Sequence, residues 1–278
     1  MGQVSRPANE EVRGRYVTAC WKGTSMEPNS VHRFMLMQLL TLFLFLSACA
    51  LGESSRKQAT YHFQMGMSYL GENNITGALV ELTEAEKLNP DDPDLQFNLG
   101  RAYFLKNRHD IAEQKFLRAL ALKPEFSEAR YNLGLNYLQM KRWDEAAYQF
   151  KVVTEDIFYQ NQEMATINLG IAYLNKGEYP NALATLRAVA SSYPRNPIAK
   201  VYLGQVYMRL DKIELAILEF KRAVEINRDY ANAYFNLALA YVKTNENKEA
   251  LAAFRAVVRI APETEIGRHS REYLDLLK

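Results

Sequence analysis

The chain has 278 residues, of which 48% are hydrophobic and 24% are charged, and its formal net charge is +2 at pH 7. This composition is typical of a globular protein rather than a disordered one. The small net charge and the lack of a basic stripe argue against nucleic acid as a partner.

An apolar run near the N-terminus is the first informative segment. Residues 1–30 carry no helical period and no recognisable motif, so we expect them to be irregular and not part of the natural product. The 13 residues 34–46 are largely apolar and directly follow a basic residue. A run of this length suits a signal-peptide core and is short for a bilayer span. A short buried helix or an uncleaved anchor are the alternatives.

The run ends in Leu-Ser-Ala-Cys at residues 46–49, which resembles a bacterial lipobox. The resemblance implies a lipoprotein signal peptide at 31–48, with a lipidated Cys49 as the mature N-terminus. A polar linker at 49–58 follows. Because a signal peptide normally starts a protein, we expect translation to begin near Met26 or at Val31. Ala50, where Asp would signal inner-membrane retention, favours the periplasmic face of the outer membrane.

The mature chain is expected to be electrically neutral. Five of the 34 basic residues and three of the 32 acidic residues precede Cys49, which leaves 29 of each. Acyl chains, at about 0.8 kcal/mol per buried methylene, would therefore hold the protein to a membrane, and charge would not. Cys20 also precedes Cys49, so the mature chain cannot form a disulfide within itself.

The segment after residue 58 consists of copies of one pattern. Six copies of 34 residues occupy 59–92, 93–126, 127–160, 163–196, 197–230 and 231–264. Position 8 of each copy is small: Gly66, Gly100, Gly134, Gly170, Gly204 and Ala238. Position 20 is always alanine, and position 24 is always large: Leu82, Phe116, Phe150, Leu186, Phe220 and Phe254.

This spacing resembles the tetratricopeptide repeat. The resemblance implies an all-α fold, a right-handed superhelical solenoid of six helix pairs, closed by a capping helix at 265–278. Because glycine costs about 1 kcal/mol against alanine inside a helix, its recurrence predicts a close helix crossing. We expect the alanine at position 20 to be the surface opposite the glycine, with the large residue at position 24 filling space further along.

Two copies depart from the pattern. Asn161 and Gln162 are extra residues after the third copy, and Phe158 replaces its terminal proline. The second helix of that copy is therefore expected to run on or bend. In the fifth copy Arg228 replaces the proline, and Asn227 is expected to end the helix in the left-handed conformation.

No motif for catalysis or metal binding is present in the repeats. The three histidines after Cys49 lie far apart in the array, and the glycines are accounted for by helix packing. We therefore expect no active site, no cofactor and no metal.

The expected function is protein binding on the concave side of the array. In tetratricopeptide arrays, positions 2, 5, 9 and 12 of the first helix line that groove, and 18 of these 24 residues are apolar here. Positions 5 and 12 are also explained by partial burial. Our candidates come from positions 5 and 9: Phe63, Met67, Phe97, Arg101, Tyr131, Leu135, Ile167, Ile171, Phe235 and Leu239. Phe63 and Met67 replace the Lys and Asn of arrays that clamp acidic chaperone C-termini, so that use is not expected.

The combination of a lipobox, a short linker and six repeats resembles the pilotin lipoproteins of type IV pilus systems. This resemblance implies secretin subunits as partners, bound through an amphipathic helix or an extended apolar segment, and promotion of their assembly at the outer membrane. A general periplasmic adaptor for a protease or cell-wall enzyme is the alternative. An enzyme subunit with a separately encoded catalytic partner is a third reading. The oligomeric state stays open.

Overall fold

The computed structural model describes residues 36–38 and 54–277. By its contacts the chain divides into two units, Met1–Ser54 and Ser55–Lys278. In the first unit, residues 36–38 are helical and exposed. The rest of the predicted signal peptide and the predicted lipidation site Cys49 lie outside the described residues. Within the described part of the chain, no helix combines the length and apolarity needed to cross a membrane.

Thirteen helices make up residues 54–277. The first, α1, spans 54–71, so the last five residues of the predicted linker are helical. The others are α2 (Ile75–Leu88), α3 (Pro93–Leu105), α4 (His109–Leu122), α5 (Ser127–Gln139), α6 (Trp143–Glu155), α7 (Gln162–Lys176), α8 (Tyr179–Ser192), α9 (Pro197–Arg209), α10 (Ile213–Ile226), α11 (Ala231–Lys243), α12 (Asn247–Ile260) and α13 (Glu265–Leu276). The expected all-α solenoid of six helix pairs and a final helix is confirmed.

The helices form an inner and an outer layer. The first helices of neighbouring repeats contact each other in four pairs: α3 and α5, α5 and α7, α7 and α9, and α9 and α11. The backbones of the second helices come close only to helices adjacent in sequence, although side chains such as Lys115 of α4 and Glu86 of α2, 2.5 Å apart, join them. Because the backbones of the first helices come close across repeats, these helices form the inner, concave layer of a curved stack.

The glycine at position 8 of the first helix leaves room for the large side chain at position 24 of the second helix. A Cβ added to Gly66, Gly100, Gly134, Gly170 or Gly204 would lie 2.4 to 2.7 Å from that side chain in the same repeat. All five of the large side chains are fully buried. The expected close crossing is therefore present, but its partner is the side chain at position 24. The side chain at position 24, which was expected further along the helix pair, thus provides the atoms nearest to the glycine.

The turn inside each repeat requires one left-handed residue. It is always position 15: Asn73, Asn107, Lys141, Gly177, Asp211 and Asn245, with φ between 56° and 88°. Asparagine and glycine tolerate this conformation, whereas a lysine gains nothing there to offset the steric cost.

Polar side chains connect consecutive repeats on the flank of the stack. Position 4 donates to a backbone carbonyl of the preceding repeat in three places: Gln96 to Pro90 at 2.9 Å, Arg130 to Pro124 at 2.8 Å and Lys200 to Ala190 at 3.2 Å. Arg142 donates to both carboxylate oxygens of Glu113 in the repeat before it, at 2.9 and 2.8 Å. The Ala190 carbonyl lies in the last turn of α8, where a helix leaves such groups without partners, and Pro90 and Pro124 follow the ends of α2 and α4.

The expectation that the second helix of the third repeat runs on is wrong. Helix α6 ends at Glu155, with no extension, and Asp156 organises the turn that follows. Its carboxylate accepts from the Ser127 hydroxyl at 2.5 Å and from the Phe158 backbone N–H at 3.0 Å. An Asx turn thus replaces the missing proline as the helix stop. Asn227 is also not left-handed: its φ is −137° and its ψ is 102°, which is extended backbone.

Helix α13 covers the open end of the core. Its Tyr273 ring stacks on Phe254 of the sixth repeat at 4.7 Å between centroids and 5° between planes. Ser270 is fully buried and donates to the Ile266 carbonyl at 2.7 Å. A Cβ on Gly267 would lie 2.1 Å from the Ala261 carbonyl oxygen, so this glycine allows the cap to dock.

We predict that Gly134→Ala lowers the stability of the solenoid. The added methyl would lie 2.7 Å from the Phe150 ring, and overpacking costs more than the gain in helix propensity, with a net loss of about 1 to 2 kcal/mol. Thermal unfolding followed by circular dichroism measures the change. Gly71→Ala is the control, because its methyl meets nothing within 4 Å, and it should not lower the melting temperature. Equal effects of the two variants would contradict the packing argument.

Lys141→Gly should raise stability by about 0.5 to 1 kcal/mol, because glycine removes the steric cost of the left-handed turn. The same substitution at Lys151, which is exposed within helix α6, should instead destabilise by about 1 kcal/mol. Melting temperatures that fall in both variants would show that the turn carries no steric cost at this position.

Candidate protein-binding groove

The accessible stripe of the concave face runs along position 9 of the inner helices. All five candidates at this position are partly exposed: Met67, Arg101, Leu135, Ile171 and Leu239. Leu135, Ile171 and Leu239 also pack at their bases against buried core clusters. A partner can therefore contact side chains whose conformations the core already restrains.

The aromatic candidates at position 5 belong partly to the core. Phe97 contacts the Phe116 ring at 6.2 Å between centroids, and Phe235 contacts Phe254 at 6.0 Å. Phe63 packs against the cluster that contains the fully buried Leu82. Each of these side chains remains partly exposed, so position 5 supports the groove floor more than it offers surface.

Tyr131 links the third and fourth repeats. Its ring lies 5.6 Å from Phe150 and 5.8 Å from Tyr159, and its hydroxyl accepts from the Asn168 side chain at 2.9 Å. Burial raises the pKa of Tyr131 above its usual value, while the bond from Asn168 opposes the shift. The hydrogen bond between Tyr131 and Asn168 joins the inner helices α5 and α7.

Ile167 does not offer surface to a partner. Its side chain is fully buried in the core of the later repeats, and Val201 at the same position of the next repeat is 2% exposed. These aliphatic side chains are shorter than the phenyl and phenol groups at position 5 of other repeats, so neighbouring inner helices close over them. The prediction that Ile167 lines the groove is corrected on this point.

Arg101 is held within the groove wall. Its guanidinium donates to Asn98 Oδ1 at 2.9 Å and lies 5.6 Å from the centre of the Phe97 ring. Both contacts fix the side chain along its own helix. The first half of the stripe is thus mainly apolar, with one positioned cation.

A cavity of about 720 Å³ lies in the second half of the groove. The inner helices α7, α9 and α11 supply most of its lining, which consists of Leu174, Asn175, Tyr179, Gln205, Met208, Arg209, Asn236, Leu239 and Lys243. Of the ten candidates from the sequence, the structure places Leu239 in this lining. The two ends of the groove therefore differ in chemistry.

Amide side chains connect the helices around this cavity. Gln205 donates from Nε2 to Asn236 Oδ1 at 3.0 Å, and Asn236 donates from Nδ2 to the Asn232 carbonyl at 2.7 Å. Asn175, Arg209 and Lys243 occupy position 13 of the last three repeats, a position left out of the predicted groove. Position 13 is Gly71 and Leu105 in the first two repeats and polar in the last three, and this change in the sequence could have indicated the cavity.

The histidines near the inner helices make local contacts. His62 Nδ1 lies 2.7 Å from Glu81 Oε2, and His109 Nδ1 lies 2.9 Å from Asn136 Oδ1. Within residues 36–38 and 54–277, no group of three or more His, Cys, Asp or Glu side chains is placed to hold a metal ion. The absence of catalysis stays a prediction.

The fold and the groove define a helical-repeat scaffold of the protein-interaction class. Models of the tetratricopeptide repeat match residues 63–125, 107–157, 165–196 and 231–264, and a TPR repeat model matches 204–245. The chain is a tetratricopeptide-repeat protein.

Comparison with known proteins gives one curated relative and several similar folds. The chain is 34% identical over 110 residues to the tetratricopeptide repeat domain-containing protein PYG7, chloroplastic, of Arabidopsis thaliana. The match covers 38% of this chain and 36% of that protein, so the chain spans about a third of the length of that relative.

Two solved structures share the fold over nearly their whole length. PilF of Pseudomonas aeruginosa has a TM-score of 0.63 at 16% identity, covering 79% of this chain and 99% of PilF. PilW, described as a widely conserved type IV pilus biogenesis factor, has a TM-score of 0.67 at 20% identity, covering 76% and 97%. The Cut9–Hcn1 assembly of the APC/C is also similar, with a TM-score of 0.63 over 84% of this chain and 45% of that one.

Ile167→Ala and Ile171→Ala should separate the buried from the accessible side of α7. Ile167 is fully buried, so its truncation should cost about 2 to 5 kcal/mol, whereas the partly exposed Ile171 should lose clearly less. Thermal melts of the two variants, which carry the same chemical change one helical turn apart, give the comparison. A larger loss at Ile171 would reverse the assignment of the two faces.

Proposed function

We propose that this protein is a lipid-anchored scaffold at the periplasmic face of the outer membrane that binds secretin subunits and promotes their assembly in type IV pilus biogenesis. Two observations support the proposal. The fold resembles PilF and PilW along nearly the whole of those chains. The sequence also carries a lipobox-like motif that ends at Cys49.

The observation that carries the binding role is the stripe at position 9. Met67, Leu135, Ile171 and Leu239 occupy this position in repeats one, three, four and six, and each is partly exposed. Arg101 and Gln205 hold the position in repeats two and five. Covering such a row removes apolar surface from water, at about 25 cal/mol for each Å² buried. A segment of a secretin subunit that presents matching apolar side chains would bind along this row without any chemical step.

The scaffold would act by holding its groove at the membrane and by keeping the inner helices in the arrangement that a partner binds. Contacts between repeats hold the inner helices in a fixed arrangement, so little conformational entropy is lost in the groove on binding. Acyl chains on Cys49 would keep the groove at the membrane where the secretin assembles. Several subunits captured there would meet at raised local concentration.

A broader adaptor function is the second candidate. The chain is 34% identical to the chloroplastic PYG7 over the 110 matched residues, whereas it is 16% and 20% identical to PilF and PilW. A chloroplastic relative favours an adaptor that is not specific to pili, such as a general periplasmic adaptor lipoprotein that recruits a protease or a cell-wall enzyme.

Deletion of the gene tests the proposal directly. The heat-resistant secretin multimers of the outer membrane, detected on gels, should be lost and should return with the wild-type gene. The Cys49→Ala protein should leave the membrane fraction and fail to restore outer-membrane multimers. Multimers that persist at the outer membrane after deletion would reject the pilus function and favour the broader adaptor.

A matched pair of variants tests the groove itself. Met67→Glu puts a charge on the partly exposed stripe of the first repeat and should reduce multimer recovery strongly. Val80→Glu makes the same kind of change on the outer helix of that repeat, where the side chain is 57% exposed, and should restore multimers normally. Equal recovery with both variants would place secretin binding outside the groove.

A further inference from the structure

We infer that the cavity between repeats four and six binds an acidic, extended segment of a partner polypeptide, with a carboxylate of that segment between Arg209 and Lys243. The inference rests on the proposed use of the concave face for protein binding and adds the chemistry of one ligand segment. It concerns the cations and amides around Leu239, which the apolar stripe does not explain.

The charge of the cavity lining is the first argument. Two of its nine residues are cations, and none of the nine is a carboxylate. Arg209 takes part in none of the ion pairs formed among the described residues. Lys243 lies 3.7 Å from Asp211, but the two side chains are 51% and 87% exposed, so solvent screens that pair. A ligand carboxylate would therefore meet two available cations.

The amide side chains indicate an extended ligand backbone. Each of the helices α7, α9 and α11 contributes one amide to the lining: Asn175, Gln205 and Asn236. An amide offers both donors and an acceptor, which an extended backbone needs and a helix, with its groups already paired, does not. The Gln205–Asn236 bond uses one donor of Gln205 and leaves its oxygen and a second donor for a ligand.

The spacing of the inner helices sets the length of that segment. Packed helices lie about 8 to 10 Å apart, and an extended chain advances about 3.3 Å per residue. Every third residue of the ligand would therefore meet the next helix, so about seven residues would cross all three. Leu174, Met208 and Leu239 provide apolar lining between the polar groups, which suits apolar residues beside the acidic one.

The opposite end of the groove has no cation at position 13. Position 13 is Gly71, Leu105 and Gln139 in the first three repeats, and Asn175, Arg209 and Lys243 in the last three. A preference for acidic segments is consequently assigned to the C-terminal end of the repeat array, and apolar contacts to its N-terminal end.

A random-peptide phage library selected on the repeat protein tests the inference. Peptides that bind the wild type should be enriched in Asp and Glu next to apolar residues. A selected peptide, synthesised with an amidated C-terminus, should bind the R209Q/K243Q variant about tenfold or more weakly, and its affinity for the wild type should fall as salt is raised. Fluorescence anisotropy with the labelled peptide gives these affinities.

The control variant is K212Q/R228Q, which removes the same charge from exposed residues outside the cavity lining. It should bind within about twofold of the wild type, since distant exposed charges are screened. No selected peptide, no acidic enrichment, or an equal loss in the control would overturn the inference. Binding that requires a free C-terminal carboxylate would also overturn it, because the segment is assigned as internal.

The pilus function and this inference can fail separately. If secretin multimers survive deletion of the gene while acidic peptides still depend on Arg209 and Lys243, the pilus function fails and the inference stands. If the multimers are lost but R209Q/K243Q binds every selected peptide normally, the inference fails and the pilus function stands.

Discussion

The contact between the glycine at position 8 and the large side chain at position 24 is the constraint on which the rest of the solenoid depends. In five repeats the side chain lies where a Cβ would otherwise be, and it is fully buried there. This fixes the crossing of the two helices in a repeat. Since the two helices cross in the same way in each repeat, neighbouring repeats stack in the same orientation. The first helices therefore form a continuous inner layer.

The sixth repeat shows how the array ends. Ala238 replaces the glycine, and the Phe254 ring lies parallel to Tyr273 of the final helix. Helix α13 thus takes the place that a seventh repeat would occupy on the core. Its docking depends on Gly267, whose lack of a side chain lets the helix approach the backbone at Ala261. An exposed apolar end is avoided in this way, as a solenoid requires.

The inner layer carries two chemistries on one framework. Its first half is a stripe of apolar side chains with Arg101 held against Phe97. Its second half encloses a cavity where amides and two cations lie among apolar side chains. The stripe uses position 9, whereas the cavity also draws on position 13, which is Asn175, Arg209 and Lys243 in the last three repeats. A single scaffold can therefore present different parts of a partner with different surfaces.

The sequence by itself determined the number of helix pairs, the final helix and the glycine contact, because these follow from residues that recur at a fixed spacing. It did not determine which neighbour fills the space at the glycine, since positions 20 and 24 lie on the same helix face and only the crossing geometry distinguishes them. It also placed Ile167 and Ile171 alike in the groove. The tertiary structure decided that one is buried and the other accessible, because adjacent inner helices close over the shorter side chains at position 5. The cavity likewise depends on where three helices converge, which no single repeat encodes.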